Sequence, residues 1–181
     1  VISYMYCYFM ECVRDSASGG IRAPNNTAVM PSMTEAVQQF MLIIASVVIF
    51  WGPVFGWVIY NIFRYAQAYD PLDDKVAWLL FGCGVFFYPM GLLAVTLFDS
   101  GSGFNPLIWI ASIWSTFFQY CGLVIGFCLL ALLAGFVVAN LQQIPFAAFL
   151  LMSVFVYFSM VACHILGRFY YSNEKKLNWD V

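Results

Sequence analysis

Apolar positions in this chain fall into long, nearly unbroken blocks separated by short polar breaks. Four blocks are long enough to cross a bilayer: Phe40 to Phe63, Trp78 to Phe98, a stretch within Leu107 to Val138, and Ile144 to Leu166. A span needs about 20 residues, and in lipid each backbone polar group must be satisfied inside its own segment, so runs of this length predict helices. Val1 to Met10 is apolar as well. It reads as the end of a further helix whose beginning is absent from the sequence, or as an interfacial helix.

The polar breaks carry helix-start chemistry. Ser32 and Glu35 form an S-x-x-E capping box, in which the hydroxyl accepts from a free backbone N–H and the carboxylate reaches back to the cap. Asp70-Pro71-Leu72 and Asn105-Pro106-Leu107 each offer an Asx cap followed by proline at the first helical position, where no N–H donor is needed. Ile144-Pro145 opens the fourth block in a similar way.

The third block exceeds one simple crossing. Its first part, PLIWIASIWSTFFQY, mixes tryptophan, tyrosine and phenylalanine with Ser112, Ser115, Thr116 and Gln119, a composition suited to the membrane interface. Pro106 to Phe117 is therefore expected to lie along the membrane surface and to turn near Gln119-Tyr120 into a crossing ending around Asn140; a single long tilted helix is the alternative.

The expected fold is thus an all-α integral membrane bundle of four full transmembrane helices, a partial N-terminal helix and an interfacial helix. The chain divides into residues 1–12 (truncated or interfacial helix), 13–36 (polar loop), 37–166 (membrane region) and 167–181 (interfacial tail). Arg14, Arg22, Arg168, Lys175 and Lys176 fall on one face of this arrangement, and Arg64 and Lys75 on the other. Because basic residues near helix ends are retained inside, the first face is expected to be cytoplasmic, with the C-terminus. The sequon Asn25-Asn26-Thr27 falls on that same face, where it would not be glycosylated.

Composition agrees with the pattern. The chain is 64% hydrophobic and only 9% charged, with a mean hydropathy of +0.86, against about 45–50% apolar in soluble domains. A net charge of -2 provides no basic field, which excludes nucleic acid as a partner. Cys7, Cys12, Cys83, Cys121, Cys128 and Cys163 form no C-x-x-C pair, and His164 is the sole histidine, so neither a metal site nor a disulfide framework is expected.

Three groups of residues remain as candidates. Gly122-x-x-x-Gly126 and Gly52-x-x-x-Gly56 let a second helix approach closely, either within this chain or from a partner subunit. Pro53 in WGPVFG and Pro89 in FYPMG interrupt two successive blocks and each free a backbone carbonyl; they read as kinks or, in a transporter, as a central site. The transport reading lacks ionisable residues, since no Asp, Glu, Lys or Arg lies between Gly101 and Gly167 or within the first two blocks. In DSGSGFN, residues Asp99, Ser100, Ser102 and Asn105 form either a plain turn or a nest for an anion or lipid headgroup. His164 is expected to make an interfacial hydrogen bond. G-x-S-x-G is absent and no nucleophile stands out, so no catalytic residue is assigned.

FDSGSGFNPLIWIASI leading to Tyr120, with the closing HILGRFYYSNEKKLNWDV, resembles an uncharacterised family of bacterial polytopic membrane domains of unknown function. In that family an Asn-Pro interfacial helix precedes the third crossing, and the last helix ends in a His-x-x-Gly-x-x-Tyr-like stretch, here His164, Gly167 and Tyr170. The resemblance implies a helical bundle in the bacterial inner membrane and no activity. The functional expectation is a non-catalytic integral membrane subunit, partnered by membrane lipids and other membrane proteins. It needs no cofactor beyond bound lipid, with a pigment left open. The alternative is a small-solute transporter or channel.

Overall fold

A computed structural model describes residues 2–20, 32–65, 69–141 and 147–179. Among these the chain is all-helical: α1 (Ile2–Ala17), α2 (Met33–Tyr65), α3 (Lys75–Phe98), a short 3-10 turn (Gly101–Phe104), α4 (Pro106–Ser115), α5 (Phe117–Leu141) and α6 (Ala147–Leu177). Four of them, α2, α3, α5 and α6, are long and apolar enough to cross a membrane. The sequon, Arg22 and Ile144-Pro145 lie outside the described residues.

Two antiparallel hairpins form the frame. In the first, Trp51 of α2 packs on Phe81 of α3, and Phe50 packs on Tyr88. In the second, Tyr120 near the start of α5 packs on Phe169 near the end of α6. Pro89 is buried inside α3, which stays continuous. Its missing N–H frees the carbonyl of Val85, and in the adjoining turn the Tyr120 hydroxyl donates to the Phe86 carbonyl.

The core lies toward one end rather than at mid-membrane. Met90, Leu93, Ala94 and Val95 in the last turns of α3 are fully buried. Val13 of α1, Trp109 and Ile113 of α4, Tyr120 of α5 and Leu166 of α6 close around them. This is the basic end, carrying Arg14 and the last turn of α6 with Lys175 and Lys176. Away from it the apolar windows of α5 and α6 are each only 6% buried by the rest of the chain.

Local chemistry sets the boundaries, in places differently from the sequence reading. The capping box forms as expected: Glu35 N donates to Ser32 Oγ at 3.2 Å, and Ser32 N donates to Glu35 Oε2 at 3.0 Å. Asn105 caps α4 as expected, accepting from Leu107 N at 3.0 Å. Asp70, however, does not cap α3. Its carboxylate accepts from Leu72 N within a turn that Asp73 N closes onto Asp70 O, which places Pro71 in the turn rather than in a helix. The N-cap is Asp74, accepting from Val76 N at 2.8 Å and Ala77 N at 3.4 Å.

The bend between α4 and α5 falls at Thr116, one helical turn before Gln119-Tyr120. There Thr116 N and Oγ1 and Ser115 Oγ all donate to the Ser112 carbonyl, drawing the chain off the helical path. α1 continues past residue 12 because Val13, Ser16 and Ala17 are buried. α6 runs on through Leu177 because Phe169, Tyr170, Asn173 and Leu177 are buried.

Candidate functional site

The polar side chains that join distant parts of the chain gather at the basic end. Arg14 on α1 donates from Nε to the Thr96 carbonyl at 3.0 Å, one of the last carbonyls of α3, which lack helical partners. Its Nη2 lies 2.8 Å from Asp99 Oδ1, and its Nη1 lies 3.7 Å from Glu11 Oε2. Asp99 is the C-cap of α3 and adopts the left-handed conformation, φ 48° and ψ 31°, which turns its carboxylate toward Arg14. A cation on the C-terminal end of α3 also opposes the helix dipole. The same contact ties α1 to α3.

Ser16 Oγ and His164 Nδ1 share a hydrogen bond of 2.8 Å between α1 and α6. One turn further along α6, Gly167 has no room for a side chain. A Cβ there would stand 2.5 Å from Ser16 Cβ and 3.0 Å from Ala17 N. Close helix approach in this chain therefore occurs at Gly167, with α1 lying directly on the backbone of α6.

Asp99 to Asn105 forms a compact turn with two internal backbone bonds: Gly103 N donates to Ser100 O and Asn105 N to Ser102 O. Ser100 Oγ and Ser102 Oγ pair at 2.6 Å. Gly103 presses on α3, where an added Cβ would fall 2.6 Å from Val95 Cα. Its carbonyl accepts from Trp109 Nε1 at 2.7 Å. Trp179 then closes the end of the bundle, donating to Ser112 Oγ at 2.9 Å and packing on Phe98 and Tyr170.

The remaining sequence candidates do not join this cluster. A Cβ at Gly56, Gly122 or Gly126 would meet nothing within 4 Å, and one at Gly52 would meet only Val48 of its own helix, at 3.9 Å. Among the described residues no helix uses either G-x-x-x-G surface. Pro53 borders an apolar cavity of about 290 Å³ between α2, α3 and α4, and Pro89 borders an apolar groove of about 760 Å³ between α3 and α5. Neither space is lined by an Asp, Glu, Lys, Arg or His.

At the opposite end Asp74 organises the loop between α2 and α3. Besides its capping bonds it accepts from Trp57 Nε1 and from Tyr69 OH, both at 2.7 Å. Those two side-chain donors, helped by the capping amides, hold its carboxyl below the usual carboxylate range. Desolvation, together with the bond to Asp74, pushes the Tyr69 phenol up to about 12.

Arg14, Ser16, Gly103, Gly167, Asp74 and Trp179 carry these contacts, and sequence reasoning gave none of them a contact role. Spacing alone does not reveal them, because each acts on a partner far away in the chain. Arg14, the only basic residue within the apolar N-terminal helix, was the one available signal. Among the described residues no three His, Cys, Asp or Glu side chains converge as metal ligands, and the six cysteines are free thiols. His164 has no hydrogen bond to a carboxylate there. The basic end therefore holds α1, α3, α4 and α6 together.

No family model, curated protein or solved structure matches this chain. The resemblance to the bacterial membrane-domain family thus gains no support from these comparisons, and a helical membrane protein is the description that stands.

Proposed function

We propose that this chain is a non-catalytic integral membrane subunit that packs against a larger membrane protein assembly. The observation carrying the proposal is the unfilled small-residue surface of α5. Gly122 and Gly126 share one helix face that no described element of this chain approaches within 4 Å of an added Cβ, on a helix whose apolar window is 6% buried. Lipid gives little drive for helix association, so backbone exposed at small residues suits close van der Waals contact with another helix. In this reading the basic end is the self-contained anchor of the fold, and α5 is the contact surface. The assembly lies in the bacterial inner membrane, with the basic end and the C-terminus cytoplasmic as the lysine and arginine distribution favours. Transport around Pro53 and Pro89 ranks below this reading because neither adjoining space holds an ionisable group.

The test is co-purification from native membranes in mild detergent. The wild type is expected to carry a defined set of membrane partners. Gly122→Leu and Gly126→Leu meet open space, so they are expected to leave helix content unchanged while removing the partners. A wild-type chain isolated alone, or partners retained by both variants, would sink the proposal.

A further inference from the structure

The groove of about 760 Å³ between α3 and α5 has the size of a small-molecule site. Val85, Tyr88 and Pro89 line it from the middle of α3, and Trp51 lines it from α2. Two polar groups on these walls lack their usual partners, one a donor and one an acceptor.

The donor is the Trp51 indole. Trp57, Trp78, Trp109 and Trp179 each donate from Nε1 within the fold, and Trp114 is 84% exposed. Trp51 is half-buried, and among the described residues its Nε1 has no acceptor, although a buried indole N–H ordinarily finds one. A Cβ at Gly84 would lie 3.4 Å from Trp51 Cε3 and Cζ3. Gly84 borders the smaller cavity and Trp51 the groove, so the opposite indole edge, which carries Nε1, is on the groove side.

The acceptor is the Val85 carbonyl, which Pro89 deprives of its helical N–H. Val85 and Pro89 both line the groove. Residues four apart share a helix face, and the carbonyl of the first is directed at the second, so this oxygen runs along the groove wall. The Tyr120 hydroxyl serves the Phe86 carbonyl instead. The Trp51 ring packs 5.5 Å from Phe81 and 6.1 Å from Tyr88, the residues on either side of Val85 along this face, so donor and acceptor stand at one level of the groove.

This pairing selects the ligand class. Apart from the Tyr88 hydroxyl and the Cys128 thiol, the remaining side chains of the lining are hydrocarbon. Midway along a membrane helix a charged group is costly, and a phospholipid headgroup stays at the interface. An acyl chain alone leaves both polar groups unpaired, and an ether or ester offers an acceptor without a donor. A hydroxyl accepts and donates at once.

We propose that the groove binds a long-chain alcohol, its hydroxyl accepting from Trp51 Nε1 and donating to the Val85 carbonyl. Cys128, Ala131 and Gly135 line the groove on the side of α5 away from Gly122 and Gly126, so the site is independent of the partner surface.

The test is displacement of tritium-labelled hexadecanol from the chain in mild-detergent micelles by unlabelled hexadecanol, hexadecyl methyl ether and hexadecane. The alcohol is expected to compete about fivefold better than the ether, and the ether about fivefold better than the alkane, the effect of one hydrogen bond at each step. Pro89→Ala restores an N–H for Val85, and should abolish the preference for alcohol over ether while keeping that for ether over alkane. Trp51→Phe keeps an aromatic ring without the N–H, and should abolish the preference for ether over alkane. Helix content measured on each variant shows that the fold is retained, and the order of the three competitors on the wild type is a test that needs no variant. Absence of saturable binding, equal competition by all three compounds, or an alcohol preference unchanged in folded Pro89→Ala would each overturn the proposal, the second leaving only a slot for acyl chains.

Discussion

Asp74 shows how a single side chain can close a loop between two membrane helices. Its carboxylate takes hydrogen bonds from Trp57 of α2, from Tyr69 in the loop and from two amides at the start of α3. Replacing it with alanine removes a helix cap and leaves the Trp57 and Tyr69 donors without their acceptor. Asp74→Ala is expected to lower the midpoint of thermal unfolding in detergent by about 2–4 °C. The pH dependence follows from the direction of each shift. The Asp74 carboxyl is depressed in the folded state, so its contribution is present above the unfolded value of about 4 and is lost as pH falls through the folded value. The Tyr69 phenol is raised to about 12, so its contribution is complete below the unfolded value of about 10 and is lost as pH rises toward 12. The stability difference between wild type and Asp74→Ala should therefore be widest between these limits and vanish in acid. A difference that persists unchanged at pH 2 would refute the role given to the carboxylate.

Among the elements, the docking of α1 on α6 depends on one glycine. Gly167 leaves no space for a Cβ, whereas Gly126 on α5 has nothing within 4 Å. Leucine at either position gains helix propensity, by about 0.8–1 kcal/mol relative to glycine, so comparing the two isolates the steric effect. Gly167→Leu is expected to destabilise the protein by about 1–3 kcal/mol through overpacking, and Gly126→Leu to cost nothing in the isolated chain. Equal effects in thermal unfolding would show that α1 does not dock on this surface. The contrast also shows what the sequence discloses. The spans, the Ser32–Glu35 box and the Asn105 cap were legible because each is a pattern within a few neighbouring residues. Gly167 carries no such mark: G-x-x-x-G spacing drew attention to Gly122 and Gly126, while the glycine that admits α1 stands outside any such pair. Asp70 misled for the same reason, since Asp-Pro reads equally as a cap or as a turn until Asp74 is seen to take the amides of α3. Arg14–Asp99, Ser16–His164 and Trp179–Ser112 link positions far apart in the chain, and periodicity contains no record of such pairings.

For the molecule as a whole, the arrangement of two hairpins fixes which loops share a side of the membrane. Asp73 lies between α2 and α3, and Ser102 between α3 and α4; both are exposed, and they stand at opposite ends of α3. Because α3 is long and apolar enough to span a bilayer, the two positions should never be reachable from the same compartment. Cysteines introduced singly as Asp73→Cys and Ser102→Cys, in sealed vesicles of known orientation, are expected to react with a membrane-impermeant maleimide from opposite sides. The native thiols give the background, and the two exposed ones, Cys83 and Cys128, lie in apolar helices that lipid covers. Labelling of both introduced cysteines from one side would mean that α3 does not cross. The hairpin of α2 and α3 would then be a surface element, and the burial of Met90, Leu93 and Ala94 would have to be read as the core of a peripheral domain rather than the anchored end of a membrane bundle.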